Sequence, residues 1–326
     1  MSDKPRIFLT RELPPQTMDM LRERAVLTMN HEDRYLSKQE IIQGVQGVDG
    51  LLCLLTDSID DDILAANPGL KVVANFAVGF NNIDVTAATA RKIPVTNTPG
   101  VLTETTADMA FALLLDIARR VAEGDRFVRT RAWQGWGPLQ FLGADVSHST
   151  LGLIGLGRIG KAMIPRARGF SMRVLYWNRT RLTPEEENEL QVTYCELDEL
   201  LQQSDFVSLH VAQNDDTRHL LGAREFALMK PQALLVNTAR GPIVDEKALV
   251  VALQNGEIAG AGLDVYEQEP ALEPELYEMD NVVVAPHLGS GTIGTRTKMG
   301  NMAAENCLAA CLGQRPPNLV NPQIYD

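Results

Sequence analysis

Short apolar runs recur along the chain, each closed by turn-forming residues: Arg6 to Thr10, Gly50 to Leu55, Val72 to Ala74 and Pro94 to Asn97 within the first hundred positions. Runs of that length and boundary predict strands, and amphipathic stretches between them, such as Ser37 to Gly47, predict helices. The rhythm is that of a parallel α/β sheet. From Thr103 to about Arg131 the periodicity predicts one long helix, apolar through Ala107 to Leu115 and buried as a connector. Alternation resumes at Thr150 and places further strands at Val174 to Tyr176, Phe206 to His210, Ala233 to Asn237, Ala259 to Leu263 and Val282 to Ala285. Six strands separated by helices predict a doubly wound sheet. A helix is expected from Thr295 to Leu312, and the proline-rich segment Arg315 to Pro322 should be an irregular tail. Because strands open the chain and a helix closes it, residues 1–100 with 291–326 should form one domain around a second, 101–290. A cleft is expected between them.

Length and charge narrow the choices. A chain of 326 residues can bury two cores. Its formal net charge of −12 argues against nucleic acid or an anionic membrane as partner. No apolar run approaches the length that crosses a bilayer. Met1 to Arg6 lead directly into a strand without a signal-peptide core, so the expected location is the cytoplasm. Cys53, Cys195, Cys307 and Cys311 are scattered without metal-ligand spacing, and no metal is expected.

The strongest local signal is Leu151-Gly152-Leu153-Ile154-Gly155-Leu156-Gly157-Arg158-Ile159-Gly160, a GxGxxG between an apolar strand and a helix. Glycine serves the tight turn at Gly155, the approach of a pyrophosphate at Gly157 and close helix packing at Gly160; Arg158 can add a charged contact. This is the signature of a Rossmann-like, dinucleotide-binding domain, here 101–290. About twenty residues on, an NAD-specific fold carries an acid for the ribose 2′-hydroxyl. Here the chain reads Asn178-Arg179-Thr180-Arg181 instead. Two guanidiniums and two small polar groups suit a 2′-phosphate, so NADP(H) is preferred and NAD(H) remains possible.

Three more segments place ionisable groups just after apolar strands: Arg240 after Val236, Asp264 and Glu269 after Gly262, and His287 after Ala285. In a doubly wound sheet the carboxyl ends of strands border the ligand crevice, so an arginine, a carboxylate and a histidine should converge there.

These motifs, with Gly50 to Asp57, Val78 to Asp84, Asn97 to Asp108 and Leu319 to Pro322, resemble the D-isomer-specific 2-hydroxyacid dehydrogenase family over nearly the whole chain, and most closely its glyoxylate/hydroxypyruvate reductases. The resemblance implies an enzyme in which Arg240 binds the substrate carboxylate and carbonyl oxygen, His287 is the acid/base and Glu269 orients it. It also implies that residues 1–100 with 291–326 bind substrate, through Leu54 and the amides of Val78 and Gly79. Trp136 would reach the substrate from a second subunit of a homodimer. Cofactor contacts would come from the glycine loop, including Leu156 and Ile159, and from Thr106, Ala212, Thr217, Thr238, Ala239, Arg240, Asp264, His287 and Gly289. Two readings stay open beside it: a 2-ketogluconate reductase, and a nicotinamide-sensing binding protein of the corepressor type. The chain departs from the family pattern at Val211 to Thr217, at Gly291 and at Pro165, where a proline inside a helix would kink it.

Overall fold

A computed structural model describes residues 4–326 and shows two sheets whose strand pairs are all parallel. The first contains β1 (Arg6–Leu9), β2 (Val26–Met29), β3 (Gly50–Leu54), β4 (Val72–Phe76) and β5 (Val95–Thr96), in the order β2-β1-β3-β4-β5. The second contains β6 (Thr150–Ile154), β7 (Arg173–Trp177), β8 (Thr193–Tyr194), β9 (Phe206–Leu209), β10 (Leu234–Asn237), β11 (Gly260–Leu263) and β12 (Val282–Val284), in the order β12-β11-β10-β9-β6-β7-β8. Each order reverses once, beside β1 and beside β6, which is the doubly wound pattern. The expected pair of α/β parallel-sheet domains is present. The chain divides into two compact units, one running to Leu102 and resuming at Gly291–Asp326, the other Thr103–Ser290.

Burial on both faces explains why the central strands read as continuous apolar runs. Every residue of β9, β10 and β11 is buried. Alternate side chains enter opposite layers: Leu235 joins Leu249 and Leu253 of the helix Glu246–Asn255, while Leu234 and Val236 join Leu113 and Leu114 of the helix Thr103–Arg119. The first sheet repeats the scheme, with Leu52 packed toward Cys307 and Leu51 toward Ile63. All four cysteines are buried free thiols.

One local expectation is corrected, and two strands were not foreseen. The single helix from Thr103 to Arg131 is two, Thr103–Arg119 and Val121–Arg129, because Arg120 adopts φ 53. Its side chain closes on Glu123 at 2.6 and 2.7 Å, and Asp116 caps the Ala122 amide at 2.7 Å, so the break is built rather than frayed. The second helix buries none of its residues. β2 and β8 escaped the pattern because each is a sheet edge, with partly exposed and short runs. Pro165 lies inside the helix Arg158–Gly169, where it is exposed, so the carbonyl it leaves unbonded can turn to water. Among the described residues no helix is long and apolar enough to cross a membrane.

Candidate active site

In the unit Thr103–Ser290, the predicted residues gather at the carboxyl ends of β6, β7, β9, β10, β11 and β12. The turn after β6 begins with Gly155 at φ 98, where a Cβ would lie 2.7 Å from backbone of His210 and Val211. A Cβ on Gly160 would lie 2.2 Å from the Gly155 carbonyl oxygen. Both positions need glycine for the protein's own packing. Gly157 does not: its φ is −76, and among the described residues no atom beyond its neighbours in the chain lies within 4 Å of where its Cβ would be. The helix that starts there has no side-chain cap, so first-turn N–H groups and the positive end of its dipole are left for a ligand. Behind the turn, the Leu156 amide donates to Asn178 Oδ1 at 2.6 Å.

The chain beyond β7 separates its two arginines. Arg181 donates to both oxygens of Glu187 at 2.7 and 2.8 Å and stacks over Tyr194 at 5.0 Å. Arg179 is 82 % exposed and, among the described residues, pairs with the similarly exposed Asp216, at 3.7 Å. Thr180 beside it is also exposed. After β9, Thr217 Oγ1 donates to the Ala212 carbonyl at 2.8 Å and accepts from the Asn214 amide at 2.9 Å, closing that loop on itself.

At the end of β10, the buried hydroxyl of Thr238 has no hydrogen-bond partner among the described residues. Asn237, wholly buried, accepts from the Ala239 amide at 3.0 Å and donates to the Arg240 carbonyl at 2.9 Å. Arg240 donates from Nη1 to the Ala239 carbonyl at 2.7 Å. Burial draws the Arg240 guanidinium below the ordinary arginine range, and Glu269 opposes that shift. A desolvated guanidinium of this kind binds an arriving carboxylate more strongly than one in water does.

Asp264, at the end of β11, clamps the loop that follows β12. Its carboxylate accepts from the Leu288 and Gly289 amides at 2.6 and 2.7 Å, its carbonyl accepts from the His287 amide at 3.0 Å, and Thr106 Oγ1 donates to the Gly289 carbonyl at 3.1 Å. Burial raises the Asp264 carboxyl above the usual carboxylate range despite those donors. His287 is thereby held at φ 53, a strained conformation for a residue with a side chain. Its Nδ1 lies 2.9 Å from Glu269 Oε2, while Glu269 Oε1 accepts from the Tyr266 amide at 3.2 Å. Both carboxylate oxygens are thus engaged, and Nε2 is the ring nitrogen left for chemistry.

Sequence reasoning passed over two residues that build this pair. Tyr266 donates its hydroxyl to the Ala285 carbonyl at 2.7 Å, and burial pushes that phenol up. Glu246, buried, accepts from the Glu267 amide and, at 3.1 Å, from the Glu273 amide, gripping both ends of the loop that carries Glu269. Burial raises its carboxyl too. Glu246 stands outside every motif, and its partners lie 21 and 27 positions away; Tyr266 lies within the segment that carries Asp264 and Glu269, but the Ala285 carbonyl its hydroxyl reaches is 19 positions away.

In the other unit Leu54 ends β3 and Val78 and Gly79 follow the neighbouring β4, so those three predicted residues share one sheet edge. Leu54 is tied through its amide to Asp57 at 2.7 Å and through its carbonyl to Asn82 at 3.0 Å. Trp136 is 84 % exposed.

An uncapped helix start, an open glycine and a buried hydroxyl without a partner among the described residues fit a dinucleotide, and a histidine oriented by Glu269, in the same unit as a buried arginine that feels the same carboxylate, fits acid/base work on an anionic substrate. Comparison with known proteins identifies the family. Residues 111–289 match the family described as "D-isomer specific 2-hydroxyacid dehydrogenase, NAD binding domain". A glyoxylate reductase from Korarchaeum cryptofilum is 51% identical over 324 residues, covering 98% of this chain and 97% of that one. A crystal structure of a protein from Thermus thermophilus superposes with a TM-score of 0.90 at 44% identity, covering 97% and 99%. An NADPH-dependent glyoxylate/hydroxypyruvate reductase from Sinorhizobium meliloti, in complex with NADP and malonate, superposes with a TM-score of 0.85 at 33% identity, covering 97% of each chain.

Proposed function

The chain belongs to the D-isomer-specific 2-hydroxyacid dehydrogenase family, and from that premise we propose that it reduces glyoxylate to glycolate and hydroxypyruvate to D-glycerate, using NADPH in preference to NADH. The observation that carries this reading is the His287–Glu269 pair, Nδ1 to Oε2 at 2.9 Å, in the same unit as the glycine turn and Arg240. Glyoxylate as substrate is supported by the relatives' shared activity.

Reduced nicotinamide, when bound, supplies the hydride. Arg240 holds the carboxylate and carbonyl oxygen, the Val78 and Gly79 amides assist, and Leu54 forms a pocket wall. As charge builds on the oxygen, His287 Nε2 gives it a proton; Glu269 keeps the ring in the right tautomer and stabilises the imidazolium. In the reverse direction the neutral ring removes the hydroxyl proton. For the 2′-phosphate we assign Arg179, with Asn178 and Thr180. Arg181, occupied by Glu187, shapes the loop around them. Thr106, Ala212, Thr217, Thr238, Ala239, Asp264 and Gly289 line the cofactor side, and 1–100 with 291–326 serves as the substrate domain. We further propose a homodimer, because Val121, Val128, Trp133, Trp136, Leu139 and Leu142 are all exposed apolar groups on one stretch of chain, and place it in the cytoplasm on the sequence reading of its first residues.

A panel of 2-oxo acids assayed with both cofactors tests the proposal. Glyoxylate and hydroxypyruvate should give the highest kcat/KM, NADPH should exceed NADH, and Arg179→Ala should narrow that cofactor gap by about 10- to 100-fold, as expected for one charge-assisted bond. Equal efficiency with the two cofactors would remove the 2′-phosphate assignment. A maximum on 2-ketogluconate would move the substrate to sugar acids, and binding without turnover would leave a sensor.

A further inference from the structure

We propose that Asn97 is a positioning residue for the anionic end of the substrate, aiming the backbone amides of Val78 and Gly79. The proposal rests on the reading of those amides as carboxylate donors. Just beyond β5, Asn97 Nδ2 donates to the Val78 carbonyl at 2.7 Å, and the next residue, Thr98, donates its amide to the Ala77 carbonyl at 2.8 Å. Both peptide bonds are trans. In a planar trans peptide the N–H points opposite to the C=O. The Ala77 carbonyl shares its peptide with the Val78 N–H, and the Val78 carbonyl shares its own with the Gly79 N–H. Since both carbonyls are drawn to the segment 97–98, both N–H groups point away from it. Among the described residues neither N–H has an acceptor in the protein. Two successive amides turned to one side form an anion-binding nest.

Asn97 is itself immobilised from behind. Its amide donates to the Asn318 carbonyl at 3.3 Å, and its carbonyl accepts from Asn306 Nδ2 at 3.1 Å. Asn306, fully buried on the helix Ile293–Cys311, also accepts from the Asn318 amide and side chain at 3.2 Å each. With its backbone fixed on both sides, the Asn97 side chain is placed to hold one carbonyl. The type is required as well as the position, since an aspartate would set a charged acceptor against the Val78 oxygen.

Asn97→Asp, Asn97→Ser and Gly79→Pro test this together, the last deleting one of the two N–H donors. Initial rates at saturating NADPH, inhibition by oxamate and thermal midpoints are measured for each. For the Asn97 variants the glyoxylate KM and the oxamate inhibition constant should rise together by about tenfold, with kcat within about threefold and the KM for NADPH unchanged, the size expected for one lost hydrogen bond. Asn97→Ser decides the matter if Asn97→Asp does not fold. Unchanged KM in the Asn97 variants, alongside a raised KM in Gly79→Pro, overturns the role of Asn97 and leaves the nest. Unchanged values in all three overturn the nest and the proposal with it. A lowered midpoint and kcat at constant KM would make Asn97 purely structural and also overturn it.

Discussion

Gly157 separates what the fold needs from what a cofactor needs. Its φ of −76 suits any residue, and a methyl group there would meet no atom within 4 Å beyond its neighbours in the chain, among the described residues. Gly157→Ala should therefore cost the apoprotein little. Lower unfolded-state entropy stabilises by about 0.4–1 kcal/mol, a poorer N-cap destabilises by a similar amount, and the net is within about 1 kcal/mol. That corresponds to a thermal midpoint change of at most about 4 °C. Gly160→Ala provides the contrast. Its methyl would sit 2.2 Å from the Gly155 carbonyl oxygen, a backbone atom that cannot swing aside, so the cost should reach or pass about 3 kcal/mol, and the midpoint should fall by about 6–12 °C. If the space before Gly157 receives the pyrophosphate, the same harmless methyl overpacks the complex by about 1–3 kcal/mol and weakens NADPH binding about 5- to 150-fold. Thermal scans without cofactor and fluorescence titration with NADPH measure the two halves separately. An unchanged dissociation constant in Gly157→Ala would refute the assignment of this turn; a midpoint drop as large as that of Gly160→Ala would show the glycine to be structural after all.

Other consequences follow from the same geometry. Glu269→Gln keeps a hydrogen bond to His287 but removes the charge that stabilises the ring as it handles the proton, so kcat should fall by at least about tenfold with NADPH binding retained. An unchanged kcat would take Glu269 out of the mechanism. His287→Ala should lower kcat at least about a hundredfold while NADPH still binds; a smaller loss would shift the acid/base role elsewhere. Burial pushes the imidazole of His210 down to about 3, from an ordinary value near 6.5. The unfolded chain therefore takes up a proton below that ordinary value which the folded chain refuses, and stability is lost as pH falls from there toward 3. At pH 4.5, two units below the ordinary value, the loss amounts to about 2–3 kcal/mol. Urea midpoints at pH 7 and 4.5 should fall less in His210→Asn than in the native protein; parallel losses would contradict it.

Which parts of this molecule a reader of the sequence can find depends on how far away each residue's partners lie. Leu234 to Val236 and Leu151 to Ile154 were legible as strands because a parallel sheet buried on both faces demands unbroken apolar runs, a property of the run itself. β2 and β8 have water on one side and lack that demand. The break at Arg120 depends on Glu123 and Asp116, whose polar side chains are equally at home on a continuous helix, so periodicity could not distinguish the two. The site divides along the same line. Arg240, Glu269 and His287 drew notice because chemistry restricts their type and the sheet restricts them to strand ends. Glu246 is as buried as any of them, yet its partners are backbone amides 21 and 27 positions away, and a backbone amide leaves no trace in the sequence. Asn97 is the same case: what it holds is the carbonyl of Val78, 19 positions earlier. Residues that act on substrate are thus selected by type and can be read, whereas residues that act on backbone are selected by place and emerge only when the chain is folded. The prediction for Asn97 is accordingly the more demanding test of the structure, and the prediction for His287 the more demanding test of the chemistry.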